Sequence, residues 1–289
     1  MPEPGESICT YDVDGMAYHA RREPDLRWLS AYGRVFSVWD QQSSGNLCFG
    51  VEGKFGKLFV KYAGADTVNY RGRPSDTVAA LRAAMPLYEE NDHPALTRLL
   101  AHGPAGEGYA AVFAWRDAPA LRPAPGDESV RALVRRLPPA RSLKMLDMVF
   151  DLHAYLAAEG IVAVDFWDGN VLIDFVRDEA IVCDIDLYRR KPAVNDRGRM
   201  WGSGRFMAPE EYQRGAALDE CTTVYNMGAL AFEFFGDNED RTEKSWIGPL
   251  PLYAVARRAT REAKADRFPS MRAYLDAWRE AVGHCRGLD

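Results

Sequence analysis

Residues 160–170 read Gly-Ile-Val-Ala-Val-Asp-Phe-Trp-Asp-Gly-Asn and form the most informative stretch of the sequence. An apolar run ends directly before Asp165, which is expected to lie on a short loop. Asn170 follows five positions later, ahead of a second apolar run at 171–173. The next apolar run ends in Cys-Asp-Ile-Asp at residues 183–186. Short buried strands are therefore expected on both sides of two loops that carry Asp and Asn side chains.

This order of polar residues is typical of phosphoryl-transfer sites. In such sites one Asp accepts the proton of the acceptor hydroxyl, and its position assigns that role to Asp165. Asn170 and Asp184 offer the hard oxygen ligands that magnesium prefers. Asp186 stays open as a second ligand or as the main one, because the interval from Asn170 to Asp184 is one residue longer than usual. Motif position favours Asp184.

Landmarks on either side of this stretch strengthen the pattern. Upstream, residues 57–63 form a strand-like run with Lys61 near its end, and downstream Met-Ala-Pro-Glu at 207–210 precedes a long apolar helix. Together with the loop of Asp165, these residues resemble the protein-kinase family, in its atypical small bacterial serine/threonine type, over roughly residues 30 to 280. The resemblance implies an α+β, bilobal protein-kinase-like fold with a small, mainly-β N-lobe and a larger helical C-lobe.

The patterning predicts three regions along the chain. Residues 1–30 form an N-terminal hairpin and short helix packed on the N-lobe, residues 31–115 the N-lobe, and residues 116–289 the C-lobe. Strands of the N-lobe are predicted at 35–39, 47–52 and 57–63. A helix is predicted from about 76 to 90, and Pro86 is expected to kink it or end it early. Helices of the C-lobe are predicted at 143–158, 224–235 and 270–282, the second of them buried on every side.

The resemblance also implies which residues contact the phosphates of ATP. Lys61 occupies the position of the lysine that grips the α- and β-phosphates. The loop before the second N-lobe strand has one glycine where the family has three. Gly45 can supply a positive φ, and Ser43 or Ser44 a hydroxyl or amide for a phosphate oxygen; a polar hairpin turn explains the two serines equally well. Candidates for the acidic partner of Lys61 are Asp76, Glu89 and Glu90.

The adenine edge of ATP is expected to be read by main-chain groups in the segment that joins the lobes. The resemblance places Ala114 and Arg116 there, with Phe113 at the back of the nucleotide pocket. Because only the backbone takes part, side-chain identity says little at these positions.

Several positions of the catalytic region depart from the family. Ala163 and Val164 stand where His and Arg usually precede the catalytic Asp. That Arg binds a phosphorylated activation loop in many kinases, so Val164 argues against switching by loop phosphorylation. Trp167 replaces a lysine that helps to neutralise the transferred phosphoryl group, which leaves this charge to the metal, to Lys61 or to another basic residue, or else slows turnover. Thr223 replaces an Asp that ties the central helix to the catalytic loop.

The end of the activation segment carries two further expectations. Glu210 and Arg267 resemble the ion pair that joins this segment to the helical lobe. The segment between Asp186 and Ala208 is strongly basic, with Arg189, Arg190, Lys191, Arg197, Arg199 and Arg205 against one acidic residue, Asp196. These basic residues are either a solvated surface or a means of attracting an acidic or phosphorylated acceptor.

Length and composition are those of an ordinary globular protein, with 289 residues, 47% hydrophobic and 27% charged. The net charge of -6 argues against a nucleic-acid-binding protein. No apolar stretch approaches the ~20 residues of a membrane span, and the first residues lack the basic start of a signal peptide. The five cysteines are scattered and form no metal-ligand cluster, which favours reduced thiols and a cytoplasmic location.

The predicted function is that of an ATP- and Mg²⁺-dependent phosphotransferase that transfers the γ-phosphate to an acceptor hydroxyl, and first of all a serine/threonine protein kinase. Residues 207–210 favour a protein acceptor, because such kinases lay a peptide on the segment that ends there. A small-molecule kinase of the aminoglycoside or choline type is one alternative, since these enzymes also lack the catalytic-loop lysine. A nucleotide-binding pseudokinase is another, opposed by the presence of Lys61, Asp165, Asn170 and Asp184. The sequence leaves the acceptor and the oligomeric state open.

Overall fold

The structure, a computed structural model, describes residues 8–54, 56–122 and 129–285. The chain folds into two compact units: unit 1 comprises Met1–Asp92 and Thr97–Arg116, and unit 2 comprises His93–Leu96 and Asp117–Asp289. The protein is α+β, with a mainly-β N-terminal region and a helical C-terminal part. Residues 93–96 belong to unit 2 because Leu96 forms a parallel bridge with Val182, whose N–H donates to Ala95 O at 2.7 Å.

Unit 1 is built on antiparallel strands. They are β1 (Cys9–Val13), β2 (Met16–Ala20), β3 (Arg34–Trp39), β4 (Leu47–Gly53), β5 (Gly56–Ala63), β6 (Leu99–Ala105) and β7 (Gly108–Ala114). β1 and β2 form the predicted hairpin, whose turn residues Asp14 and Gly15 have φ values of 56° and 87°. Asp-Gly adopts such a pair of positive φ angles readily, and the resulting twist matches that of the strands. The other five form one sheet in the order β3-β4-β5-β7-β6.

Helix α1 (Pro74–Glu89) packs on β5 and β7 and departs from the sequence prediction at both ends. It begins at Pro74, because proline is well suited to the first helical position. It also runs through Pro86, so the expected early end is wrong. Pro86 lies in the last turn, where its missing N–H removes a single helical hydrogen bond. Buried Leu87 and Tyr88 hold that turn on the sheet, with the Tyr88 ring 5.0 Å from that of Phe113.

The core of unit 1 joins the hairpin to the five-stranded sheet. Tyr18 and Leu29, from the hairpin and the 3-10 helix Arg27–Ala31, pack in one cluster with Val35, Phe49 and Val60. The inner face of the N-terminal segment is therefore part of the same apolar core as the sheet, and burial of that face stabilises both.

The helices of unit 2 are α2 (Val130–Val134), α3 (Pro139–Ala158), α4 (Glu220–Phe235), α5 (Leu250–Ala259) and α6 (Met271–Gly283). As predicted, α4 is central, with 13 of its 16 residues buried. Its Gly228 packs directly on α5, where an added Cβ would lie 2.7 Å from that of Ala259. Asp219 caps α4 by accepting a hydrogen bond from Cys221 N–H at 3.0 Å. None of the helices in the described part of the chain is long and apolar enough to cross a membrane.

Short strands of unit 2 frame the loops that the sequence singled out. They are β8 (Ile161–Val162), β9 (Val171–Asp174), β10 (Glu179–Val182), β11 (Arg189–Arg190), β12 (Ala193–Val194) and β13 (Ala217–Leu218). β8 and β9 flank the loop of Asp165, and β10 leads into residues 183–186. β9 pairs with β10, β8 with β11 and β12 with β13. These pairings fix where each polar loop begins and ends.

Candidate active site

Asp165 stands on a short loop in a strained backbone conformation. Its neighbours Val164 and Phe166 are buried and anchor the loop, while Asp165 itself has a positive φ of 62°. Residues with a Cβ rarely adopt this region, and such strain persists only where the surrounding structure imposes it. Strain of this kind is concentrated at functional sites, which singles out Asp165 among the aspartates of the loop.

Asn170 joins this loop to the one that carries Asp184. Its Nδ2 donates to Asp165 O at 3.0 Å and lies 3.5 Å from Asp184 O, and Asn170 O accepts from Cys183 N–H at 2.9 Å. Asp184 Oδ1 in turn accepts from Asp186 N–H at 3.1 Å. The fold of unit 2 therefore brings together the four residues that the sequence predicted for catalysis and metal binding.

The donor set suits Mg²⁺. No three His, Cys, Asp or Glu side chains converge on a metal position among the residues that the structure describes. Magnesium does not need such a cage, because it keeps several waters and is held by one or two protein oxygens together with substrate phosphates. Nδ2 of Asn170 donates to main-chain oxygens of Asp165 and Asp184. The other end of the amide, Oδ1, is therefore the oxygen that could bind a metal ion.

A buried pair, His153 and Tyr188, lies against both loops and was missed by the sequence analysis. His153 Nδ1 is 2.7 Å from Val149 O, and because a carbonyl only accepts, this nitrogen carries the proton. Nε2 then accepts from the Tyr188 hydroxyl at 2.8 Å. The His153 ring also meets Phe166 edge to face, with centroids 5.0 Å apart. A polar residue inside the apolar stretch of α3 was the available signal, since buried polar side chains need partners.

Burial controls the protonation of this pair. It lowers the pKa of His153 to about 4, so the imidazole is neutral near pH 7. Burial also raises the pKa of Tyr188 well above its usual value, and the charges of Asp184 and Asp165 act in the same direction. The hydroxyl of Tyr188 thus stays protonated as a hydrogen-bond donor close to the two aspartates.

Thr223, which replaces the Asp expected from the resemblance, connects the central helix to the loop of Asp165. This α4 residue is buried, and its Oγ1 accepts a hydrogen bond from Ala163 N–H at 3.1 Å. The central helix therefore still holds the loop of Asp165, through a neutral hydroxyl rather than a carboxylate.

Trp167 and Arg122 form a second feature of the loop. The Trp167 ring covers Gly169 so closely that a Cβ there would collide with it. The guanidinium carbon of Arg122 lies 5.9 Å from the centroid of the Trp167 ring. A cation at this distance from an indole face is attracted by it, so the positive charge of Arg122 lies beside Trp167.

The end of the activation segment is held by the predicted ion pair. Arg267 Nη1 and Nη2 donate to Glu210 Oε1 at 2.8 Å and Oε2 at 3.0 Å, and both side chains are buried. The expectation of this pair is confirmed. Nearby, Glu211 Oε2 accepts from Ala208 N–H at 2.7 Å and from Asn226 Nδ2 at 3.2 Å. Burial raises the pKa of Glu211 to about 7, with the charges of neighbouring carboxylates adding to the effect.

Arg189, Lys191 and Arg205 form ion pairs with carboxylates of the same chain, which argues against both explanations of the basic segment at these positions. Arg189 pairs with Asp196 at 3.2 Å and Lys191 with Glu220 at 2.7 Å. Arg205 pairs with buried Asp168 and Glu233, at 2.7 and 2.9 Å. Arg205 is therefore not part of a solvated surface, and its charge is already neutralised by carboxylates of the same chain. These partners of Arg205 could not be predicted, because they lie 37 and 28 residues away along the chain.

Arg197 and Arg199 are placed differently from those three residues. Each is exposed and lies over an aromatic ring, at 3.9 Å from Trp201 and 5.9 Å from Tyr212. Within the described ranges 8–54, 56–122 and 129–285, neither guanidinium has a carboxylate within 4.0 Å. Gly202, which follows these arginines in the chain, lies close to Asp165, since a Cβ on Gly202 would be 3.4 Å from Asp165 Oδ1.

The remaining predicted residues belong to unit 1. Lys61 is a buried residue of β5, paired in register with Cys48 and Ala111 on the neighbouring strands. Two of the candidate partners for Lys61 have partners of their own: Asp76 bonds Arg73 at 2.9 Å, and Glu89 bonds His102 at 2.8 Å.

The predicted phosphate loop is a turn in unit 1. Ser43 and Ser44 are exposed, and Gly45 has the expected positive φ of 79°. A Cβ on Gly45 would clash with Tyr70 and Thr77, so glycine is required there by packing as well as by conformation. Ala114 ends β7, with its N–H bonded to Arg98 O, and Arg116 follows at the end of unit 1.

Comparison of the chain with protein-family profiles finds no match, and comparison with curated proteins finds none either.

Proposed function

We propose that the protein is an ATP- and Mg²⁺-dependent phosphotransferase with a bilobal protein-kinase-like fold, and that it transfers the γ-phosphate to a serine or threonine hydroxyl of a protein. The observation that carries the proposal is the position of Asn170, whose amide lies 3.0 Å from Asp165 O and 3.5 Å from Asp184 O. One side chain thus holds the proton acceptor and the metal-binding loop in a fixed relation, which is what positioning catalysis requires.

Each residue of the site has a role in this reaction. Asp165 accepts the proton of the acceptor hydroxyl as its oxygen attacks the γ-phosphorus. Asn170 Oδ1 and the Asp184 carboxylate would hold Mg²⁺, with Asp186 as a further ligand. The ion, when bound, neutralises negative charge on the phosphate oxygens. The nucleotide would be held by Lys61 at the α- and β-phosphates, by the Ser43, Ser44 and Gly45 turn, and by main-chain groups of Ala114 and Arg116.

The charge of the transferring phosphoryl group needs a basic residue at the catalytic loop in place of the usual lysine. Arg122 is suited to this task because its guanidinium lies over Trp167, the residue at the lysine position. The indole ring would keep the guanidinium near the loop through cation–π attraction.

The structure of the activation segment supports a protein acceptor. Its end is held by the Glu210–Arg267 pair, and its Gly202 lies against Asp165. A main chain held beside the proton acceptor gives an extended acceptor peptide a surface to lie on. A small-molecule kinase is the second candidate, and the specific observation in its favour is Trp167, because small-molecule kinases also do without a lysine there.

Incubation with γ-labelled ATP and Mg²⁺ tests the proposal. Purified wild type and Asp165→Asn would be compared alone, with dephosphorylated casein, with a basic histone mixture, and with choline or an aminoglycoside. We expect label on serine or threonine of a protein in the wild-type reactions only. Label on the small alcohol alone would establish the second candidate. Nucleotide binding with no transfer above the Asp165→Asn level in any mixture would contradict the enzyme and leave a nucleotide-binding module.

A further inference from the structure

Arg205 connects the activation segment to the catalytic loop. Its Nη2 donates to both oxygens of Asp168, at 2.9 Å and 2.7 Å. Asp168 stands three residues after Asp165 on the same loop, and its side chain is only 3% exposed. A nearly buried carboxylate is costly to leave without a charge partner, so this contact determines where Arg205 must lie.

The same guanidinium also reaches the central helix. Arg205 Nη1 donates to Glu233 Oε2 of α4 at 2.9 Å. Glu233 is itself held in place, with Arg131 Nε 3.0 Å from Oε1 and Asn238 Nδ2 2.9 Å from Oε2. The planar fork of arginine can satisfy two carboxylates in different directions, which a lysine ammonium does with far less geometric definition. Arg205 therefore bridges the loop and the helix.

The segment has few residues through which phosphorylation could order it. Between Asp186 and Ala208 the only hydroxyl side chains are Tyr188 and Ser203. Tyr188 is buried and donates to His153, so a kinase or phosphatase has no access to it in the folded chain. Val164 also removes the arginine that would receive a phosphate.

We propose that Arg205, Asp168 and Glu233 form a permanent latch that keeps the activation segment docked on the catalytic loop without phosphorylation. In the regulated kinases of the resemblance, an arginine of the catalytic loop binds a phosphate on the segment. Here the charges are exchanged, because the loop supplies the carboxylate of Asp168 and the segment supplies Arg205. The latch makes these three residues positioning residues for Asp165. Its effect on turnover rests on the proposed function, whereas its effect on the segment does not.

Asp168→Asn is the sharpest test, because it keeps the size of the side chain and leaves Glu233 paired with Arg205 and Arg131. Two readouts are needed on the full chain. The first is hydrogen exchange at the amides of Met200, Phe206 and Met207, which bond Glu211 O and Ser203 O. The second is steady-state phosphoryl transfer to casein, with kcat and the KM for ATP determined separately. Arg272→Gln, an exposed change on α6, is the control.

We expect Asp168→Asn to speed exchange at these three amides and to lower kcat by about 10- to 100-fold, with little change in the KM for ATP, because misplacement of the site acts on the chemical step. Arg205→Lys, which keeps the charge but loses the fork, should lie between wild type and Asp168→Asn on both readouts. Arg272→Gln should match wild type.

Other outcomes would overturn the latch. Exchange in Asp168→Asn equal to that of wild type would show that the segment is docked by other contacts. A raised KM for casein with kcat and exchange unchanged would make Arg205 and Asp168 part of the acceptor surface instead. If wild type itself transfers no phosphate, the proposed function fails, and the exchange readout alone still decides whether the latch orders the segment.

Discussion

At the scale of single residues, Asp165 combines a strained backbone conformation with the role of proton acceptor that we propose for it. A φ of 62° costs a residue with a Cβ about 1–3 kcal/mol, which the buried neighbours Val164 and Phe166 and the bond from Asn170 must offset.

Substitution of the two key aspartates should separate proton transfer from metal binding. Asp165→Asn and Asp184→Asn should each lower kcat by about 100- to 10,000-fold, because one loses the proton acceptor and the other a magnesium ligand. We expect Asp165→Asn to bind ATP as wild type does, and Asp184→Asn to lose the dependence of ATP binding on Mg²⁺. Calorimetric titration with and without Mg²⁺ measures this. Equal turnover by wild type and Asp165→Asn would exclude the assigned role.

His153 gives a pH dependence of stability with a definite sign. Its pKa is lowered by burial from 6.5 to about 4, so the unfolded chain takes up this proton at a higher pH than the folded chain does. The contribution to stability is complete above pH 6.5 and is lost as the pH falls through 4, to a total of about 3 kcal/mol. The melting temperature of wild type should therefore fall more steeply than that of His153→Gln as the pH is lowered from 6.5 to 4.

Glu211 acts in the opposite direction but is common to both proteins. Its pKa is raised to about 7, so its contribution is complete below about 4.5 and is lost as the pH rises through 7. Because both proteins contain Glu211, its contribution cancels when the melting temperature of His153→Gln is subtracted from that of wild type. Parallel curves of melting temperature against pH would show that His153 is not held neutral by burial.

At the scale of elements, the Glu210–Arg267 pair ties the end of the activation segment to the loop before α6. The Arg267 side chain is 0% exposed, and its other N–H groups donate to the main-chain oxygens of Arg261, Cys221 and Glu262. Arg267→Ala should lower the free energy of unfolding by about 3–5 kcal/mol, because Glu210 is left buried with Lys264 no closer than 3.8 Å.

Urea unfolding checks this expectation, with Arg272→Ala as the matched control on exposed α6 surface. The control should change stability by less than about 0.5 kcal/mol. A loss below about 1 kcal/mol in Arg267→Ala would mean that solvent or Lys264 compensates Glu210 once the arginine is removed.

Arg197 and Arg199 lie in the same segment, exposed over aromatic rings, and the Arg199 guanidinium also donates to the main-chain oxygens of Met200 and Gly202. Neither forms an ion pair with a carboxylate in the described part of the chain, so we expect both charges to be available to an acceptor. Replacing both with Gln should raise the KM for an acidic serine peptide by about 2- to 10-fold, since exposed ion pairs contribute little each. Added salt should have a similar effect on wild type, because exposed charges are screened over about 8–10 Å. A KM for this peptide that is indifferent to both changes would show that these arginines are only solvated.

At the scale of the whole molecule, binding of MgATP should be visible as thermal stabilisation. A ligand that binds only the folded chain stabilises it by mass action, by about 2.7 kcal/mol at a concentration 100 times its dissociation constant. Chelation of Mg²⁺ with EDTA should remove most of this gain in wild type, and Asp184→Asn should show little gain with or without the ion. Stabilisation by ATP that is insensitive to EDTA would contradict a metal-assisted site on residues 170–186.

The secondary structure could be predicted where hydrophobic periodicity is strong, as in α4 and in strands β3 to β5. The early end expected at Pro86 did not occur, because this proline falls in the last turn of a helix that Tyr88 holds against Phe113. The loops of Asp165 and Asp184 were found because their residues are close in sequence and follow apolar strands. Whether these residues carry out phosphoryl transfer stays a prediction.

Hydrophobic periodicity and motif spacing were enough to predict the α+β composition and the two polar loops of Asp165 and Asp184, whereas the Glu210–Arg267 pair followed from the family resemblance. By contrast, long-range packing determines that Arg205 binds Asp168 and Glu233, that His153 donates to Val149 and accepts from Tyr188, and that Thr223 accepts from Ala163. These partners are separated by 28 to 60 residues, apart from the helical turn of His153. The physical reason is that a buried charge or hydroxyl requires a partner but does not specify which one, and the packing of the helices makes that choice.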